Sequence, residues 1–191
     1  MTTLHILALS GSLRRASTNT ALLQAAAELA PEGLTLRIHD YAALPLFNGD
    51  LEIPTSVTDL KTAITEADAV LISVPEYNYS LPGVLKNAID WASRPAYHSP
   101  FRDKPVGLIS AAASIVGGAR AQQHTKQILL GMIAPVFPWP ELLVGAAHTK
   151  FSDGVLSDVP TREALERYMA GFAAWVSKQK LEPRNTPETG A

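Results

Sequence analysis

Leu4-His-Ile-Leu-Ala-Leu-Ser-Gly-Ser-Leu-Arg-Arg-Ala-Ser-Thr-Asn-Thr20 is an apolar run that empties into a hydroxyl-rich loop and then opens a helix. Residues 4–9 have the length and composition of a buried strand, and apolar residues recur at helical spacing over 21–29, so the loop joins a strand C-terminus to a helix N-terminus. Free backbone N–H groups and the positive end of the helix dipole favour an anion at such a point. Ser10, Ser12, Ser17, Thr18, Asn19 and Thr20 offer side-chain donors, and Arg14 adds a forked cation. Gly11 stands alone and no lysine follows, which fits neither the three-glycine dinucleotide motif nor a Walker loop. A single phosphate monoester held by hydroxyls fits better. The plainer alternative is an ordinary strand-to-helix loop in which one Ser or Thr caps the helix.

Downstream the same alternation repeats. Residues 34–38 predict a second strand and 41–54 a loop, and Ser56-x-x-Asp59 resembles a capping box that opens a helix carrying Val57, Leu60 and Ile64 on one face. Residues 69–74 form a nearly continuous apolar run, the mark of a strand buried on both sides. Pro75 ends it, and Pro82 stands where a first-turn proline is tolerated, ahead of a helical stripe of Val84, Leu85, Ala88, Ile89, Trp91 and Ala92. Further strands are predicted over 106–109 and, interrupted by prolines, within 134–144, with helices over 117–130 and 165–176. Five strands alternating with helices predict an α/β fold, a parallel sheet with helices on both faces. Ligands of such sheets lie beyond the strand C-termini at the topological switch point, and in a 2-1-3-4-5 order the loops 10–20, 75–81 and 110–118 meet there.

The second of these loops, Pro75-Glu-Tyr-Asn-Tyr-Ser-Leu-Pro-Gly83, combines prolines that hold one shape, tyrosines with flat faces and Asn78 with both a donor and an acceptor. That composition suits a flat heteroaromatic ring, or else a rigid turn whose tyrosines cover the sheet edge. The third loop has small residues that let a ring edge approach backbone, although Gly117-Gly118 also reads as a helix start.

The chain has 191 residues, 47% hydrophobic and 18% charged, with a formal net charge of −2, the profile of a single globular domain with no nucleic-acid or membrane footprint. Cysteine is absent, so redox chemistry has to come from a bound cofactor. The five histidines, at 5, 39, 98, 124 and 148, show no metal-ligand spacing, and no metal is expected. The N-terminal apolar run is too short for a signal peptide and its arginines follow it, which reads as cytoplasmic. Residues 180–191 read as a frayed tail behind one domain, 1–179.

Taken in order, Gly11-Ser-Leu-Arg14 with Ser17 and Asn19, then Pro75 to Gly83 followed by Leu85-Lys-Asn-Ala-Ile-Asp-Trp91, then Gly117-Gly-Ala-Arg-Ala-Gln122 resemble the NADPH-dependent FMN reductases, over about residues 4–176. The resemblance implies a flavodoxin-like three-layer sandwich that binds FMN. It implies that Ser10, Ser12, Arg14, Ser17 and Asn19 grip the FMN phosphate, that Pro75, Glu76, Tyr77 and Asn78 lie along the ring and ribityl chain, and that Ser110 and Ser114 complete the pocket. Hydride would pass from NADPH or NADH to the flavin, and electrons then to a small-molecule acceptor: a quinone, chromate, an azo compound or free flavin. No side-chain catalytic group is needed, and Glu76 is expected in an ion pair rather than as a base. Ile115 and Val116 stand where the family is often richer in glycine and would narrow access over the flavin. The other readings are a flavodoxin-like electron carrier that never turns over NAD(P)H, and a colourless nucleotide-binding regulator. A homodimer or homotetramer is also implied, and the broad apolar surface of the helix around Trp91 points the same way unless that helix is buried in the monomer's own core.

Overall fold

The computed structural model describes residues 3–181. Strands β1 (Leu4–Ser10), β2 (Leu34–Ile38), β3 (Ala69–Ser73), β4 (Val106–Ala111) and β5 (Leu142–Val144) form one parallel sheet in the order β2-β1-β3-β4-β5, the order expected from the sequence. Helices α1 (Thr18–Glu28) and α5 (Val159–Leu181) bury Leu22, Leu23, Leu165, Met169 and Phe172 on one face. Helices α2 (Thr55–Glu66), α3 (Gly83–Ala92) and α4 (Ala119–Gly131) close the other face with Leu60, Ile64, Leu85, Ile89 and Leu129. The result is the three-layer flavodoxin-like sandwich. A two-stranded hairpin, β6 (Phe151–Ser152) and β7 (Val155–Leu156), precedes α5. Among the described residues no helix is long and apolar enough to cross a membrane.

Some local expectations change. The capping box before α2 does not form: Thr55 already begins the helix behind Pro54, no side chain caps it, and Ser56 donates to the Ala43 carbonyl at 3.5 Å. Pro82 is the cap of α3 rather than its first residue. The region 134–144 is not one strand, because Pro135, Pro138 and Pro140 lack amide donors. It touches β4 first at Val136, opposite Val106, then leaves the ladder and returns only at β5. That detour strips Leu108 of a strand partner on one side. Tyr168 of α5 fills the gap: its hydroxyl donates to the Leu108 carbonyl at 3.0 Å and accepts from the Leu108 amide at 2.9 Å. Burial pushes the Tyr168 phenol well above its usual pKa. Gly107 is required beside it, since a Cβ there would meet Leu71, Phe172 and the Tyr168 hydroxyl at 3.0–3.1 Å.

α5 is longer than its amphipathic stretch and takes in Lys180 and Leu181, which composition alone assigns to the tail. Lys180 reaches back to Asp68 at 2.6 Å, and the rest of the tail, 182–191, lies outside the described residues.

The helix around Trp91 turns out to be covered by its own chain. Trp91 is 4% exposed; its indole N–H donates to the Pro45 carbonyl at 2.8 Å, and its ring meets Phe47 edge-on at 4.9 Å. Asn87 adds two bonds to the same loop, to Pro45 and Phe47, and the Tyr41 hydroxyl ties the loop's start to the Ser10 carbonyl at the end of β1. Trp91 therefore offers no surface to a second subunit, and a dimer or tetramer finds no support in it.

Replacing Tyr168 by Phe keeps the packing and leaves two buried backbone groups unpaired, which predicts a loss of about 2–5 kcal/mol. Denaturant unfolding of Tyr168→Phe against wild type measures it. A change below about 0.5 kcal/mol, the scatter of ordinary surface substitutions, would show that water replaces the hydroxyl.

Candidate functional site

The C-terminal ends of β1, β3 and β4 bring three loops together, and the closest approach falls at Gly11. Its amide donates to the Ser73 carbonyl at 2.8 Å, and a Cβ there would lie 2.6 Å from Pro75. Glycine is needed because the first loop runs directly against the second. Ser17 caps α1, its hydroxyl accepting from the Thr20 amide at 3.2 Å, so the plain reading of that residue holds. The amides of Thr18 and Asn19, in the first turn, have no carbonyl beneath them within the helix.

Between the loops lies a cleft of about 310 Å3. It collects Ser12, Arg14, Ser17, Asn19, Pro75, Glu76 and Tyr77 from the expected residues. Thr18, Ala111, Ala112, Ala113, Ala147 and His148 complete the walls. Larger hollows lie elsewhere among the described residues, one between β2 and α2 beside His5, Thr35 and Arg37, and another between Leu34 and the end of α5. Neither contains a residue of the three loops, so chemistry rather than size singles out the smaller cleft.

Several expected ligand donors face inward instead. Asn19 is 2% exposed and lines the cleft floor, but its Nδ2 donates to the Ala111 carbonyl at 2.8 Å while its Oδ1 accepts from the Ala111 amide and the Ser73 hydroxyl at 3.0 and 2.9 Å. Its amide holds α1 against β3 and β4. Ser10 lies outside the cleft lining, its hydroxyl shared between the Ser12 carbonyl and the Thr20 hydroxyl. Ser110 is fully buried, donating to the Gly117 carbonyl at 2.5 Å and accepting from Gln122 at 2.8 Å. It shapes the start of α4, where Gly117 and Gly118 adopt φ of 65° and 93° and Gly118 is the cap, as the helix-start reading of that pair predicts. Asn78 and Ser114 are exposed and outside the lining. Ile115 is 92% exposed and also stands off the cleft, as does Val116, so neither narrows it.

Glu76 sits in an ion pair. The Arg120 guanidinium donates to its Oε1 at 2.6 Å and the Arg120 amide to its Oε2 at 3.2 Å, which uses both carboxylate oxygens. Arg120 also lies over the Tyr79 ring, 4.3 Å from the centroid. Tyr77 and Ser80 exchange two backbone hydrogen bonds around Asn78 and Tyr79, both at positive φ, forming a small hairpin that carries exposed tyrosine faces beside the cleft.

Sequence reading missed Ala147 and His148. They follow β5 in a single 3-10 turn, Ala147–Thr149, and belong to no motif around them; hydrogen bonds from the Ala147 amide to the Ala112 carbonyl at 3.0 Å and from the Ala146 amide to the Ser114 carbonyl at 3.1 Å bring them to the third loop.

The family model of the NADPH-dependent FMN reductases matches residues 4–149. An NAD(P)H-dependent FMN reductase of Pseudomonas aeruginosa is 40% identical over 179 residues, covering 92% of this chain and 96% of its own. A quinone reductase of Pseudomonas putida is 40% identical over 170 residues, 87% of this chain and 91% of its own. Among solved structures, the flavoenzyme NAD(P)H:(acceptor) oxidoreductase of Paracoccus denitrificans superposes with a TM-score of 0.84 at 34% identity, covering 93% of this chain and 99% of that one. By sequence, fold and the three loops that meet at its switch point, the chain belongs to the NADPH-dependent FMN reductase family.

Proposed function

We propose that the chain binds one FMN in the cleft between its three loops, oxidises NAD(P)H there and passes the electrons to a quinone. The carrying observation is the two-ended character of the cleft. One end presents Ser12, Arg14, Ser17 and Thr18 beside the free amides of α1, and the other presents Pro75, Tyr77 and Ala111–Ala113. A phosphate at one end of a ligand and a flat ring at the other match that donor set. Bound FMN supplies the capacity to accept hydride and release electrons that the cysteine-free chain lacks.

The protein's own groups bind and orient. Arg14 has no acidic partner among the described residues, which leaves its guanidinium free to pair with phosphate oxygens in a forked contact. Asn19 and Gly11 fix the spacing between the phosphate end and the ring end. Glu76, held by Arg120, keeps the second loop docked on α4 instead of moving a proton. The relatives named as quinone reductases favour a quinone over chromate, an azo compound or free flavin as acceptor.

The visible spectrum of freshly purified protein tests the cofactor, and mixing with NADPH or NADH separates a reductase, which bleaches the flavin bands, from an electron carrier, which does not. Losing one charge-assisted phosphate contact costs about 1.5–3 kcal/mol, so Arg14→Ala is expected to weaken FMN binding roughly 10- to 150-fold, toward the lower value because Arg14 is exposed. Unchanged affinity would place the phosphate elsewhere.

With one cleft serving nucleotide and acceptor in turn, initial-rate lines are expected to be parallel. Turnover should vary shallowly between pH 5 and 8. A steep bell that vanishes in Glu76→Gln would make Glu76 the acid–base group.

A further inference from the structure

The flavin cleft does not end at Ser17. A second hollow of about 260 Å3 lies on the other side of that residue and shares Ser17, Thr18, Ala147 and His148 with it. Its own walls include Arg15, Gln24 and Phe151. No acidic side chain lines it.

Arg14 and Arg15 divide between the two halves: Arg14 lines the flavin cleft, and Arg15 lines the extension. Among the described residues, neither arginine makes an ion pair or a side-chain hydrogen bond, and the same holds for the Gln24 amide and the His148 imidazole. Arg120 differs, being spent on Glu76 and on the Tyr79 ring. The far wall is built rather than accidental. The β6–β7 hairpin stands against α1 because Leu156 is buried, 1% exposed, in the core on that face, and this holds Phe151 beside the hollow. The extension thus offers a cation and an imidazole for an anion, an amide with both a donor and an acceptor, and an aromatic face.

We propose that this extension holds the phosphorylated adenosine end of NAD(P)H, with Arg15 and His148 as its phosphate-binding residues. The inference rests on the reading that FMN fills the adjoining cleft. A pyridine nucleotide places its nicotinamide at the flavin ring, and its other half needs a phosphate site and a flat surface within reach. The extension supplies both and opens off the phosphate end of the cleft at Ser17 and Thr18, so the nucleotide lies along the bound flavin from its ring to its phosphate. Of the arginines near the three loops, Arg15 is the one that is unspent and outside the flavin cleft.

The test uses FMN-loaded full-length protein and titrates 2′,5′-ADP and 5′-ADP calorimetrically into wild type, Arg15→Ala, Arg15→Lys and His148→Ala, with flavin content measured in each. An exposed charge-assisted contact predicts a roughly 5- to 20-fold loss of 2′,5′-ADP affinity in Arg15→Ala, partly recovered in Arg15→Lys, with FMN retained. His148→Ala is expected to lower the same affinity. Loss for 2′,5′-ADP alone assigns the pocket to the 2′-phosphate and makes it a determinant of NADPH preference; loss for both ligands assigns it to the pyrophosphate. Either result upholds the proposal. Wild-type affinity for 2′,5′-ADP in both alanine variants, or loss of FMN from Arg15→Ala, overturns it. A wild-type protein that takes up no FMN instead defeats the flavin reading itself, so the two failures are told apart.

Discussion

The site depends on one buried amide. Asn19 belongs to the first turn of α1, yet its side chain completes the hydrogen bonding of Ala111 at the end of β4 and accepts from Ser73 at the end of β3. A buried amide is costly unless paired, and at Asn19 the pairing fixes where the helix begins relative to two strands. Gly11 extends the constraint by letting the first loop lie against Pro75 with no side chain between. Together they bring a set of phosphate donors and a set of flat apolar surfaces to the two ends of one cleft. Neither residue needs to touch a ligand to do this.

The ring loop is held in shape at some cost. Asn78 tolerates a left-handed backbone, but Tyr79 at φ 67° does not readily do so, and such a residue stores on the order of 1–3 kcal/mol. The paired Tyr77 and Ser80 backbones and the Arg120 guanidinium over the Tyr79 ring offset part of that. Arg120 holds Glu76 as well, so one side chain steadies both the hairpin and the acidic residue beneath it. A loop fixed before the ligand arrives loses less entropy on binding.

Much of the architecture was legible in the sequence because burial leaves period and composition behind it. The runs at 4–9 and 69–74 lie in the sheet interior, and alternation predicts a parallel sheet with helices on both faces, while the 2-1-3-4-5 order is the one implied by the resemblance to a flavodoxin-like fold. What could not be read was side-chain direction within loops. Ser10 and Ser110 carry the same hydroxyl as Ser12 and Ser17, and the Asn19 amide is as able to donate, so only tertiary contacts turn these three toward the sheet and the start of α4. Trp91 looked like surplus apolar surface because its cover, the 41–54 loop, has no periodic pattern of its own. The detour of 134–144 was hidden for a related reason: the prolines announce an interruption, while the hydroxyl that repairs it comes from Tyr168, far along the chain. His148 carried no local signal at all.

Amide hydrogen exchange of the protein with and without FMN tests the central claim, that the cleft formed by the three loops is the flavin site. The account predicts protection concentrated in residues 11–20, 75–77, 111–113 and 147–148, with little change along β2 and α2 around the larger hollow beside His5 and Arg37. Protection centred on that hollow, or the same exchange in all three loops with and without bound flavin, would contradict it.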